Sequence, residues 1–313
     1  MKELVSAKKS FQLLRNNKII FLPNLLMFLS NLFFLAIFLK LTGLADVLFN
    51  LYFNYFTSAA FLSYKNLGYL VGYLLCIAAI DNFLTCSKYG MIKDLVLKGK
   101  TSLKSGFKFG RKHYFTVAKV HLLVFGLIVI PILIAAGLIF TLIPNQILVA
   151  RYLLAFFMIV YLVYISIRLL FVYPVMTFED EGAYSSLRDD IHFVKSHVHH
   201  THMTWLFAIG VALVFSMVKK MMMSGQEQLS QVTIAVAVLI GLVIILIEMG
   251  VSIWEHIFIF ESYEEGKKSG TVKRRKVVRK KAVKNKSVKK KVAKRKTMTK
   301  KKKSIKRKVA KKK

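Results

Sequence analysis

The chain has 313 residues, of which 55% are apolar, and a formal net charge of +34. Those properties are segregated: Lys267 to Lys313 hold 27 Lys or Arg and no acid, while the rest carries 22 basic and 15 acidic residues, a net +7. An ordinary soluble globule is therefore excluded, and the high isoelectric point belongs to the tail alone.

A bilayer core of about 30 Å takes about 20 apolar helical residues. Six segments meet that test. Ile19 to Leu41 comes first, bracketed by Lys18 and Lys40, with Pro23 in its opening turn where a missing N–H costs little. Its apolar run exceeds that of a cleaved signal peptide, so it is expected to be a retained anchor. Asn66 to Ser87 follows, with Asp81 inside it. Its two cysteines, Cys76 and Cys86, match neither a zinc knuckle nor a redox pair and are expected to be small buried hydrophobes. Phe115 to Ile143 contains Pro131, which should kink it. Leu148 to Phe171 carries Arg151 and Arg168 near its ends, and Met203 to Val218 is the shortest span. Gln228 to Phe260 is too long for hydrocarbon alone and should tilt or emerge.

Val47 to Tyr64 is uncharged and rich in Phe and Tyr, so it is either a seventh span or a helix lying at the interface. Charge decides between these. Five basic residues precede the first span and eight lie between Lys88 and Lys112, while a seventh span would set these groups on opposite sides. The positive-inside rule favours six spans and a multi-pass protein of the plasma membrane with both termini cytoplasmic. The expected fold is all-α: a polytopic helical bundle over residues 1–266, then a disordered basic tail over 267–313.

Ionisable side chains inside a bilayer cost about 2.5–3.5 kcal/mol each on insertion scales. Asp81, Lys119, Arg168 and Glu255 fall toward the cytoplasmic side and suggest ion pairs between helices, while Glu248 lies deeper on the same face as Glu255. This candidate intramembrane polar network is either packing glue or a cavity for an ion, proton or lipid headgroup. The polar stretch Glu179 to His202, taken as a loop, opens with Glu179-Asp180-Glu181-Gly182 and closes with four histidines between His197 and His202. Those imidazoles lack the paired spacing of a structural zinc site. No hydrolase, zinc-protease, Walker or dinucleotide motif is present, so no catalytic residue, cofactor or metal ligand set is expected. The segment Gly106 to Lys112 is glycine-spaced and basic, and is expected to grip lipid phosphates.

The tail concentrates its charge in Lys273, Arg274, Arg275 and Lys276, in Arg279, Lys280 and Lys281, in Lys289, Lys290 and Lys291, and in Lys294, Arg295 and Lys296. With no acid and no aromatic residue, it is expected to bind polyanions through charge alone: anionic lipid headgroups, or the backbone of nucleic acid or ribosome. The expected role is a non-enzymatic membrane scaffold or tether. The alternative is a secondary transporter or lipid-handling channel using the intramembrane acids.

Three places, Ser10-Phe11 with Leu14 to Lys18 and Leu22-Pro23, Gly106 to Lys112, and Pro174 to Arg188, carry a likeness to known proteins. The body resembles an uncharacterised family of six-helix prokaryotic membrane proteins related to the membrane domain beside some glycerophosphodiester phosphodiesterases. The resemblance implies an all-helical membrane domain over residues 10 to about 260, without phosphodiesterase chemistry.

Overall fold

The computed structural model describes residues 2–44, 63–141, 148–228 and 234–268. Val47 to Leu62 and the tail clusters from Lys273 onward lie outside the described residues, and with them the questions of a seventh span and of tail order. By contact the chain divides into two units that meet between Glu264 and Glu265. Of the second unit only the end of the last helix is described.

The described residues are almost all helical, with no strand among them. The elements are α1 (Lys2–Asn16), a 3-10 turn (Lys18–Phe21), α2 (Leu22–Thr42), α3 (Tyr64–Lys98), α4 (Leu103–Thr141), α5 (Leu148–Arg168), α6 (Val172–Glu179), α7 (Ala183–Ser196), α8 (Val198–Gln228) and α9 (Ile234–Lys268). Local chemistry sets their ends. Pro23 sits in the first turn of α2, and Gly43, at φ 72°, closes it in the left-handed region. Ser63 caps α3 by accepting from the Asn66 N–H at 3.3 Å. Gly99, at φ 71°, ends α3 and donates to the Leu95 carbonyl at 2.8 Å.

Six helices are long and apolar enough to cross a membrane, within Lys18–Thr42, Tyr64–Lys98, Leu103–Leu138, Tyr152–Glu179, Val198–Met223 and Leu239–Lys268. These are the six spans the sequence predicts, but most are longer than hydrocarbon requires. At 1.5 Å per residue the 35 residues of α3 reach about 52 Å and the 39 of α4 about 58 Å. The excess projects beyond the bilayer.

Burial shows where. In α3 the buried side chains all lie between Asn82 and Leu95, whereas Val71, Leu74 and Leu75 face outward. In α4, His113, Val117 and Val120 are buried, whereas Leu122, Phe125 and Leu133 are exposed. α8 buries Thr201, Thr204 and Ala208 near its start, and α9 buries Ile253, Ile257, Phe258, Phe260 and Tyr263 toward its end. The spans therefore pack tightly at one end, which also holds α1, α6, α7 and the eight basic residues from Lys88 to Lys112. Toward the other end they present apolar side chains outward, as lipid-facing surfaces do.

The stretch after the fourth span is not the loop expected from its polarity. It forms α6 and α7, and α7 turns Ala183, Ser186, Asp190, Phe193 and Val194 inward. Those positions recur at three- and four-residue spacing, the period of a helix with one buried stripe.

Candidate functional site

The closest helix contact at the packed end is between α3 and α4, and glycine makes it possible. A Cβ on Gly106 would stand 2.6 Å from Met91 Cγ and 2.9 Å from the Ser87 carbonyl oxygen, and one on Gly110 would overlap Ser87 Oγ. From the other helix, a Cβ on Gly90 would meet Phe109 at 2.5 Å. Gly106 and Gly110 form a Gly-x-x-x-Gly pair, the spacing by which membrane helices approach backbone to backbone. The segment expected to grip lipid phosphates thus has a packing role on its glycine face, while Lys104, Lys108 and Arg111 point outward.

That approach buries Lys88, which is only 5% exposed. No ion pair to Lys88 forms among the described residues, and its ammonium lies 5.9 Å above the Tyr89 ring. Tyr89 in turn packs on Tyr173 at 5.0 Å, Phe260 at 5.7 Å and His256 at 5.8 Å. Two imidazoles sit within electrostatic range of the amine, His121 and His256. The Asn82 amide donates to the Tyr114 carbonyl at 3.1 Å, so its oxygen is free to accept from His121 Nδ1 at 3.0 Å. His256 Nδ1 faces the Ser252 carbonyl at 2.6 Å and donates to it. Both rings therefore keep an Nε2 lone pair. A lysine amine between two such rings can share a proton or face an anion, and sequence reasoning counted Lys88 only as a loop charge.

Around this core, polar contacts tie the remaining elements together. Lys93 donates to the Thr177 carbonyl at 2.6 Å. Asp180, a non-glycine residue at φ 53°, pairs with Lys112 at 2.6 Å and His113 at 3.1 Å. The hydrogen bond from Lys112 holds the Asp180 carboxyl below its ordinary value, helped by His113 and Lys93 and opposed by slight burial. On the opposite flank α1 is fastened by Lys9 to the buried Glu261 of α9, and by Trp254 Nε1 donating to the Ala7 carbonyl at 3.3 Å.

Glu3, His200 and Ser262 line up as acid, imidazole and hydroxyl. His200 Nδ1 is 3.6 Å from Glu3, and Nε2 is 2.9 Å from the Ser262 carbonyl and 3.1 Å from its hydroxyl. Ser262 is wholly buried within α9 and also bonds Thr204 at 2.7 Å, so the array joins α1, α8 and α9 rather than presenting a nucleophile. Burial would raise the Glu3 carboxyl, but its own backbone N–H and His200 bring it below the ordinary value.

Asp190 stands apart. Neither of its buried carboxylate oxygens has a hydrogen bond of ordinary geometry. Desolvation pushes the carboxyl well above its usual range, against a weak pull from the Phe171 N–H.

The intramembrane network predicted from sequence is not brought together. Asp81 takes a weak hydrogen bond from Asn31 at 3.4 Å, Glu248 pairs with Lys219 at 2.9 Å, and Arg168 lies over the Tyr164 ring of its own helix at 5.1 Å. Lys119 is exposed, Glu255 is half-buried, and no ion pair joins any of the five to another among the described residues. In the histidine cluster, Nδ1 of His197 and of His202 face carbonyls of their own turns at 3.1 and 2.7 Å. Among the described residues no three His, Cys, Asp or Glu side chains are gathered as a metal site would need.

Six long apolar helices packed at one basic end define a polytopic helical membrane protein. The family described as Domain of unknown function (DUF7847) matches residues 4–265, and the chain belongs to it. No curated protein and no solved structure gives a significant match.

Proposed function

We propose that the protein is a non-enzymatic scaffold of the plasma membrane whose tail holds polyanions at the cytoplasmic face. One observation carries this reading: the eight basic residues between Lys88 and Lys112 lie at the packed end of the bundle, where α9 buries Phe258, Phe260 and Tyr263. The basic tail follows directly from that helix. Positive charge beside spans faces the cytoplasm, where anionic lipid, nucleic acid and ribosomes are available. A transporter or lipid-handling channel would need Asp81, Arg168, Glu248 and Glu255 to face a common cavity, and the separate partners of Asp81, Arg168 and Glu248 favour the scaffold instead.

With 27 basic residues and no aromatic one in the tail, binding should go to phosphate and be blind to sequence. The test is retention of duplex DNA, ribosomes and anionic vesicles by the intact protein and by a chain ending at Gly266, across a salt series. The intact chain should retain polyanion at low salt and lose it steeply as salt rises, with a log–log slope of about −0.9 per phosphate neutralised on duplex DNA. Equal retention by the truncated chain would remove the tether.

A further inference from the structure

We infer that α1 is an interfacial anchor whose outer face lies in the headgroup layer of an anionic leaflet. The proposal is independent of the tail and concerns a surface that composition alone would leave as a hydrophilic N-terminus.

Three observations carry it. The first is orientation. Along α1, contacts are made in turn by Glu3, Ala7 and Lys9, but the points they reach do not progress along one neighbouring helix. Glu3 reaches His200, which is tied to Ser262; Ala7 accepts from Trp254; Lys9 pairs with Glu261. Glu3 and Lys9 both reach the Glu261–Ser262 level, Glu3 through His200, while Ala7 between them meets Trp254, so α1 is pinned at three points against this end of the bundle. Trp254 is one of the indole rings that mark a membrane boundary.

The second is the two-faced character of α1. Its inner face buries Ser6, Ala7, Ser10 and Leu14. Its outer face carries Leu4, Lys8, Phe11 and Arg15 at spacings of three and four residues, with Leu4 65% and Phe11 58% exposed. A helix already packed on one side has no need of an exposed Leu and Phe in water. Apolar side chains flanked by Lys and Arg are the pattern of helices that lie in the headgroup layer.

The third is continuity. The 3-10 turn Lys18–Phe21 joins α1 to the first span without a linker, and Phe21 stands 3.8 Å from where a Cβ on Gly250 of α9 would be. Ile19 is exposed in the same turn. The outer face of α1 is therefore held within one turn of the hydrocarbon boundary and cannot swing away from the lipid. Lys8, Arg15 and Lys18 match the negative charge of an anionic surface.

The test places an environment-sensitive fluorophore on Cys in a Phe11→Cys variant that also carries Cys76→Ala. The full chain is reconstituted in phosphatidylglycerol-containing vesicles and in neutral phosphatidylcholine vesicles. The expected result in anionic vesicles is a blue-shifted probe, quenched by nitroxide lipids labelled near the headgroup and poorly quenched by aqueous iodide. In Lys8→Glu/Arg15→Glu protein the nitroxide quenching should fall at least two-fold. A probe fully open to iodide in anionic vesicles would overturn the proposal. So would one shielded from both quenchers, which would point to a protein partner on this face.

Discussion

At the scale of single residues, two buried charges make opposite demands. Asp190 binds its proton more tightly in the fold than in the unfolded chain, because burial penalises the carboxylate. Its contribution is therefore fullest below the unfolded carboxyl value of about 3.9 and is lost as pH rises toward the raised folded value. Asp190→Asn should raise the melting temperature at pH 7 and leave it nearly unchanged near pH 4, as thermal unfolding in detergent across that range would reveal. Equal shifts at both pH values would mean that Asp190 is charged in the fold. Lys88 is buried without a carboxylate, so an apolar side chain of similar length should be tolerated. Lys88→Met is expected to unfold at or above the parent temperature, while Lys88→Ala, which leaves a cavity, should cost about 2–5 kcal/mol. Instability of Lys88→Met would mean that the amine itself is required. Neither residue was legible as a site beforehand, because sequence reports that Lys88 sits among basic residues but not that the α3–α4 contact closes over it.

At the scale of elements, the spans were legible because hydrocarbon thickness demands a long apolar stretch, and each of the six has one interrupted by few charges. Their extensions past the membrane were not, since Lys93, Lys98, Lys104 and Lys108 interrupt the apolar pattern where α3 and α4 project into water. α7 was hidden for a related reason: its inward stripe includes Ser186 and Asp190, polar residues that mask the helical period. The network of Asp81, Lys119, Arg168, Glu248 and Glu255 failed to assemble because sequence gives depth along a helix but not the direction a side chain faces around it. The glycines of Gly106 to Lys112 could have been found from their four-residue spacing. Gly110→Leu, which would drive a side chain into Ser87 and Phe83, is expected to cost about 1–3 kcal/mol or more by forcing α3 and α4 apart. Gly137→Leu, at a position with open space around it, should be near neutral in the same unfolding assay. Similar losses at both positions would contradict a specific close approach.

At the scale of the whole molecule, the bundle is asymmetric. One end is a packed polar core fastened by Lys9 to Glu261, Lys112 to Asp180 and Lys93 to the Thr177 carbonyl, and the other presents apolar helix surface. On the proposed reading such an arrangement suits a platform, with lipid accommodating the apolar helix surface. The tether requires that this end face the cytoplasm. The most direct measurement is labelling by a membrane-impermeant thiol reagent in right-side-out vesicles, using one introduced cysteine at a time at Lys100, Tyr64 or Ser287 in a Cys76→Ala background that keeps only the buried Cys86. Tyr64→Cys should label from outside, whereas Lys100→Cys and Ser287→Cys should label only after permeabilisation. Labelling of Lys100→Cys from outside would invert the bundle and remove the basis of the tether.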